Sequence, residues 1–329
     1  LEYNFEKNNY SINIGSNLED AKYTNNTTQK FTIGDSIITG INNANLYFIK
    51  YGFFTQISKT FLANALTSSF GLRIDGNSFT DNANSPNLSP RLSLAYNLNN
   101  KISINSNIGR FYQLPSYTIL GFDNNGNYLN KDADYISCDH AVIGLEYSPS
   151  NYSKITLESF YKSYNNYPFS ILDSISLANL GGDFGVVGNE DISSISKGNS
   201  YGVELLAQQK MSSSIYGILS ATYYRSRFED KNDQLISSSW DNRFILNMTA
   251  GKKFKNNIEL GFKYRYSGGS PYTPIDIINS SNRGIWDVNQ RGVLDYDLLN
   301  TQRLNGAHVL DVRIDKKWFF KSWSLNAYI

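Results

Sequence analysis

From Ile258 to Tyr266 every second side chain is apolar or aromatic: Ile258, Leu260, Phe262, Tyr264 and Tyr266. Glu259, Gly261, Lys263 and Arg265 fill the places between. A period of two belongs to a strand whose two faces meet different surroundings. It recurs at Tyr10–Asn17, Leu92–Tyr96, Ile102–Arg110, Ala141–Tyr147, Ile155–Tyr161, Tyr201–Gln209, Phe244–Gly251 and Trp323–Ile329. It returns at His308–Asp315, where Leu310, Val312 and Ile314 oppose Asp311, Arg313 and Asp315. Helical periodicity is hard to find. If the apolar rows face lipid, slipping the Ile258 strand by one residue would expose Glu259, Lys263 and Arg265 instead. Near a bilayer midplane a basic residue costs about 2–4 kcal/mol, so the register is fixed and the opposite face must be wet.

The connections narrow the fold further. The pattern gives about fourteen strands, each able to reach the roughly 9–11 residues of a tilted membrane strand. They begin near Leu1, Tyr10, Ala44, Leu62, Ser89, Lys101, Cys138, Tyr152, Gly198, Ser213, Asn242, Asn257, Ala307 and Lys321. Short links stand at Glu6–Asn9, Ser58–Phe61, Asn97–Lys101, Ser148–Tyr152, Lys210–Ser213, Phe254–Asn257 and Phe319–Lys321. Long polar ones stand at Asn25–Asn43, Gly76–Asn87, Leu114–Ile136, Pro168–Lys197, Glu229–Ser239 and Gly268–Asn305. Short and long alternate without a break, as tight periplasmic turns and long external loops do in an outer-membrane barrel. Aromatic girdles are expected from Tyr161, Tyr164, Tyr223, Tyr224, Tyr264 and Tyr266 beside the long loops. Tyr147, Tyr152, Trp318 and Trp323 would form the girdle beside the short turns. With no linker or composition shift, residues 1–329 read as one all-β domain, a transmembrane antiparallel up-and-down β-barrel.

Composition closes other routes. The chain is only 40% hydrophobic and nowhere approaches about 18 uninterrupted apolar residues, so no helix spans a membrane. Its 30 basic and 29 acidic residues are evenly mixed, which excludes the basic stripe of a nucleic-acid binder. The single cysteine, Cys138, cannot close an internal disulfide.

Several segments resemble the C-terminal half of TonB-dependent outer-membrane receptors, in the form common among Bacteroidetes. They are SPRLSLAYNL (Ser89–Leu98), GRFYQLPSY (Gly109–Tyr117), SKGNSYGVELLAQQK (Ser196–Lys210) and SSWDNRFILNMTAG (Ser238–Gly251), followed by LGFKYRYSGGSPYTP (Leu260–Pro274) and WDVNQRGVLDYDLLNTQRL (Trp286–Leu304). The resemblance implies a barrel of about 22 strands, of which this chain supplies about 14, with the N-terminal plug and the final strand lying outside it. It further implies an outer-membrane address and energised import of a scarce, bulky ligand, such as an iron chelate, cobalamin or a glycan. The implied partners are outer-membrane lipid, the plug, the TonB complex acting through the plug, and a surface lipoprotein lid in some glycan importers. A passive porin-like channel, or a soluble or surface-attached β-rich adhesin or propeller, are the competing readings.

No catalytic, cofactor or metal constellation emerges, and an enzyme is not expected. His140 and His308 lack a ligand frame, and Asp123–Asn127 has Tyr128 where a calcium loop needs glycine. Gly181-Gly182 and Gly268-Gly269 precede no helix as a phosphate cradle would, and no serine sits in a nucleophile elbow. Arg91, Glu146, Glu158, Glu204, Glu259, Lys263, Arg265, Asp311 and Arg313 should line the lumen, pairing across strands or holding the plug. Ligand capture should fall to Arg110, Tyr112, Tyr117, Trp240, Tyr272 and Trp286, whose flat faces and charge suit sugars and chelates alike.

Overall fold

The computed structural model describes residues 1–7, 9–33, 36–81, 86–124, 126–180, 189–212 and 214–329. These form one antiparallel sheet in which fourteen strands follow one another in chain order. They are β1 (Glu2–Lys7), β2 (Tyr10–Ile33), β3 (Ser36–Phe61), β4 (Leu66–Asn77), β5 (Asn87–Asn97), β6 (Ile102–Gln113) and β7 (Ile136–Ser150). The second half comprises β8 (Ser153–Ser170), β9 (Ile192–Ser212), β10 (Ile215–Glu229), β11 (Phe244–Phe254), β12 (Ile258–Ser267), β13 (Ala307–Phe319) and β14 (Ser324–Tyr328). The sheet is not closed on itself, as befits part of a barrel wall. Among the described residues no helix is long and apolar enough to cross a membrane.

Cross-strand register makes one continuous apolar face. Ile57 pairs with Phe70, Phe70 with Leu92, Leu92 with Ile108, and Ile108 with Ala141. At the other end Met248 pairs with Tyr264, Tyr264 with Leu310, and Leu260 with Ile314. Among the described residues, charges on this face stand near its two edges. At the short-turn edge Lys59 lies over Tyr10 and Phe61 at 4.4 and 4.8 Å, Lys252 over Phe254 at 5.2 Å, and Lys316 over Trp318 at 5.7 Å. These lysines lay their stems on aromatic rings and carry the ammonium toward water, the arrangement of a membrane boundary.

The girdle is corrected at two positions. Tyr164 and Tyr224 turn to the polar face, because neighbours along a strand alternate and Tyr223 and Tyr161 take the outward places. Tyr164 stacks near Phe228 at 5.4 Å, and the Tyr224 hydroxyl donates to the Trp240 carbonyl at 2.6 Å.

The long polar loop expected at Asn25–Asn43 is instead strand. Pairing of β2 with β3 continues through Asn25↔Ala44 to Ile33↔Ser36, so the hairpin satisfies its own backbone well past any membrane. At 24 and 26 residues these strands are more than twice the roughly 9–11 needed to cross. Described parts of the 114–136 and 168–197 connections fold over the polar face, where Ile119, Leu120, Ala133, Leu177 and Ile192 pack on Ala21, Leu46 and Phe48 of this hairpin. Among the described residues that cluster is a dry core.

Candidate functional site

Two places can meet a ligand: the polar face of the wall and the loop assembly at its long-loop end. Serine, threonine, asparagine and charged residues fill the polar face because only they suit a wet lumen. Some charges are matched there. Arg73 forks onto Asp75 at 2.7 and 2.6 Å, Arg313 onto Asp315 at 2.8 and 2.7 Å, and Lys154 bridges Glu146. The Glu259 carboxylate accepts from the Tyr216 hydroxyl at 2.5 Å. Others are not. Glu158 lies directly opposite Glu204, and among the described residues neither has an ion-pair partner. Gly144 sits on the other side of Glu158, where a Cβ would stand 2.9 Å from its Cγ. Glycine there makes room for the acid. Lys263 and Arg265 on β12 are likewise without an ion pair among the described residues, although Lys263 faces Asp311 across the ladder. Arg91 rests its guanidinium over the Phe111 ring at 4.3 Å.

At the mouth, buried asparagines tie the loops to one another. Asn130 is fully buried; its amide donates to the Ile119 carbonyl at 2.7 Å and the Glu190 carbonyl at 2.8 Å, and accepts from Ile192 N at 3.0 Å. Asn42 on β3 bonds the Asn189 side chain and accepts from Asp123 N. The Asn179 carbonyl accepts from Ser239 Oγ at 2.7 Å and Asn300 Nδ2 at 3.0 Å, and Asn300 also reaches the Ser237 carbonyl. Each pin joins segments far apart in sequence; the side-chain amides of Asn42 and Asn130 both donate and accept, that of Asn300 donates twice, and Asn179 is held at its backbone carbonyl. Asp241, wholly buried, accepts from Ser226 N, Ser237 Oγ, Arg225 and Arg303, and so clamps the 268–306 loop onto the top of β10. Burial pushes the Glu190 carboxyl above the usual carboxylate range, opposed by a hydrogen bond from Ser170 and aided by the Asp173 charge. Burial raises Asp173 as well.

The six sequence candidates do not converge on one spot. Arg110 and Tyr112 lie on β6 at positions that face the apolar side, and Arg110 grips Asp139 of β7 with two bonds of 2.6 Å. Tyr117 begins a short helix, α1 (Tyr117–Leu120), and packs edge-on against Phe48 and Tyr23 at 5.4 and 5.9 Å. Trp240 (66% exposed), Tyr272 (42%) and Trp286 (47%) stand free on the mouth loops. Tyr272 belongs to a two-residue strand paired with Gln302–Arg303, and Trp286 to the helix α3 (Arg283–Asn289), which follows α2 (Ile277–Ser280). The pinning residues Asn42, Asn130, Asn179, Asp241 and Asn300 escape sequence reading because a buried loop asparagine looks like a solvated one.

His140 sits beside Phe111 at 5.8 Å, and His308 Nδ1 meets the Tyr264 hydroxyl at 2.8 Å. Among the described residues no group of His, Cys, Asp and Glu could hold a metal ion. Asp123 closes an ordinary turn by accepting from Gly126 N at 2.9 Å. Gly181-Gly182 lie outside the described residues.

Comparison with known proteins places this geometry. The family model described as TonB dependent receptor-like, beta-barrel matches residues 1–329. The fold is similar to that of the FrpB iron transporter from Neisseria meningitidis (TM-score 0.61, 13% identity, covering 96% of this chain and 47% of that one). It is similar to a mutant form of the ferric enterobactin receptor PfeA from Pseudomonas aeruginosa (TM-score 0.65, 16% identity, 97% and 45%). The copper transporter OprC gives a TM-score of 0.63 at 12% identity, covering 99% of this chain and 49% of that one. The chain thus spans about half the length of the solved structures it resembles. No curated protein matches it in sequence. The chain belongs to the β-barrel family of TonB-dependent receptors, transporters and receptors rather than enzymes, which reside in the Gram-negative outer membrane.

Proposed function

We propose that this chain is the wall of an energised importer for a scarce, bulky ligand, an iron chelate, cobalamin or a glycan. The observation that carries the reading is the unmatched charge on the polar face. Like charges directly opposite on a sheet destabilise it, so Glu158 and Glu204 call for a cation from elsewhere. A plug domain seated in the lumen would supply one, and would offer carboxylates to Lys263 and Arg265. A wall lining an open aqueous pore has no such need. The plug would carry the contact with the TonB complex, and lipid would cover the apolar face. The segments between Ser89 and Trp323 favour the form common among Bacteroidetes.

For capture at the mouth the reading relies on Trp240, Tyr272 and Trp286, whose exposed faces can stack on a sugar or a flat chelate. A surface lipoprotein lid, if the ligand is a glycan, would meet the exposed Ile277 and Ile278 of α2. Uptake of the ligand by cells carrying the full-length protein should stop when TonB is removed or the proton gradient is collapsed. Uptake that persists, with steady conductance of the full-length protein in planar bilayers, would replace the importer with a passive channel.

A further inference from the structure

At the mouth, two small hairpins and the start of β9 enclose a cavity of about 360 Å³. One hairpin caps β8: Phe169 pairs with Ser176 and Ser170 with Ile175, and Ser174 takes the turn at φ 55°. The other caps β10, where Glu229 pairs with Leu235 and residues 230–234 make the turn, with Asp233 at φ 59°. Asp230 Oδ1 closes that turn by accepting from Asn232 N at 2.9 Å and Gln234 N at 2.8 Å. Glu229 uses one carboxylate oxygen to accept from Lys197 N at 3.0 Å. The ammonium of Lys231, the turn's own cation, is drawn away to Asp297 on the 268–306 loop. Among the described residues Glu229, Asp230 and Asp233 are left without an ion-pair partner, and all three line the cavity. Ser196 of β9 lines it too. Its side chain is 2% exposed, and its Oγ has no hydrogen-bond partner among the described residues.

We infer that this cavity binds a primary ammonium group carried by the ligand, either on an amino sugar or on the amine arm of a chelate. A buried hydroxyl without a partner bears an uncompensated desolvation cost, which an N–H donor entering the cavity removes. An ammonium brings three such donors together with a positive charge. Ser196 Oγ and the second carboxylate oxygens of Glu229 and Asp230 are there to receive them. A metal ion fits poorly, because among the described residues no group of three or more His, Cys, Asp or Glu could hold one. Three carboxylates repel an anion. Phe169 and Ile195 line the remaining wall and suit the carbon frame that bears the amine. The volume lies toward the lower end of the roughly 300–1,000 Å³ of small-molecule sites, so it takes one arm of a bulky ligand rather than the whole. The inference rests on the importer reading for the purpose of the site, and narrows its ligand to one that carries an amine.

The test is isothermal titration of the full-length protein in detergent, at mildly acidic pH where amines are charged. The probes are a glucosamine tetramer, the same tetramer N-acetylated, and cadaverine. At least one amine should bind, and the N-acetylated tetramer should bind about tenfold more weakly or not at all. Binding of the sugar amine alone names an amino sugar as the source; binding of cadaverine names an alkyl amine arm. Ser196→Ala, and the double variant Glu229→Gln with Asp230→Asn, should each weaken amine binding about tenfold. The amide side chains keep the oxygens that accept from Lys197, Asn232 and Gln234, so the mouth loops should resist proteolysis as the wild type does. Ser89→Ala, which removes another buried hydroxyl without a partner, this one on β5, should leave binding unchanged. Amine binding that is absent, unaltered in either cavity variant, or matched by the N-acetylated tetramer overturns the site and leaves TonB-dependent uptake to its own assay. Amine binding beside uptake that ignores TonB keeps the site and removes the importer.

Discussion

The wall and the mouth satisfy their polar groups by opposite means. In the wall the ladder does the work: every strand pairs with its neighbours, side chains sort by parity, and the apolar face needs no protein partner. At the mouth the backbone is irregular, and its carbonyls and amides are met one by one by the side chains of Asn42, Asn130, Asn179, Asn300 and Asp241. A ladder distributes stability over many equivalent bonds, so single losses are shared. A pin concentrates it, because each buried polar atom left alone bears its full desolvation cost. The wall should therefore yield to changes in its solvent and the mouth to changes in single contacts.

Removing Asp241 is the largest expected blow to the mouth. Asp241→Ala leaves Arg225 and Arg303 facing each other without their shared carboxylate and should cost about 3 kcal/mol. Limited proteolysis should then cut the 230–243 and 268–306 loops, while the heat-shifted barrel band on gels is unchanged. Loss of that band would show that mouth and wall are one cooperative unit. The converse substitution is Phe262→Arg, outward on β12 between Ala250 and Val312, worth about 2–4 kcal/mol against assembly. Urea titration in vesicles should record it, with an equal cost from Gly261→Arg on the polar face counting against the assignment of faces. Smaller again is Asn130→Ala, which orphans the Glu190 carbonyl and the Ile192 amide and leaves the Ile119 carbonyl with Phe122 N as its remaining donor, for about 1–3 kcal/mol. Hydrogen exchange should quicken in residues 114–135 and at Glu190–Ile192 together, and quickening in one alone would deny that the pin couples them.

The smallest effect is a pH dependence confined to the mouth. The carboxyls of Glu190 and Asp173 titrate above their unfolded values, so the folded loop binds protons more readily than the unfolded one. Their contribution to docking is present below the folded titration range and fades as pH climbs from the ordinary carboxylate value through it. Loop proteolysis should be slower at about pH 5 than at neutrality, and Glu190→Gln should flatten that slope. A slope of opposite sign would mean the carboxylates are stabilised as anions.

The wall was legible because alternation in a segment such as Ile258–Tyr266 states both its conformation and its facing. The start of nearly every strand could be read this way. What could not be read was where a strand stops being membrane: Asn25–Asn43 is polar enough for a loop, yet its pairing runs to Ile33↔Ser36. Polarity reports exposure to water, and a hairpin standing in water is as polar as a loop. The mouth was less legible still. Tyr117 reads as a candidate ligand stacker, but Phe48 and Tyr23, about 70 and 94 positions upstream, claim its ring.

The order of the strands, their antiparallel register and the division between an apolar and a polar face are written in a period of two, since a one-residue slip would turn every side chain to the wrong solvent. Which polar residues become pins and which lumen charges lack partners depend on contacts between segments distant in the chain. Only the folded sheet brings Asn179 to Asn300 and Glu158 to Glu204.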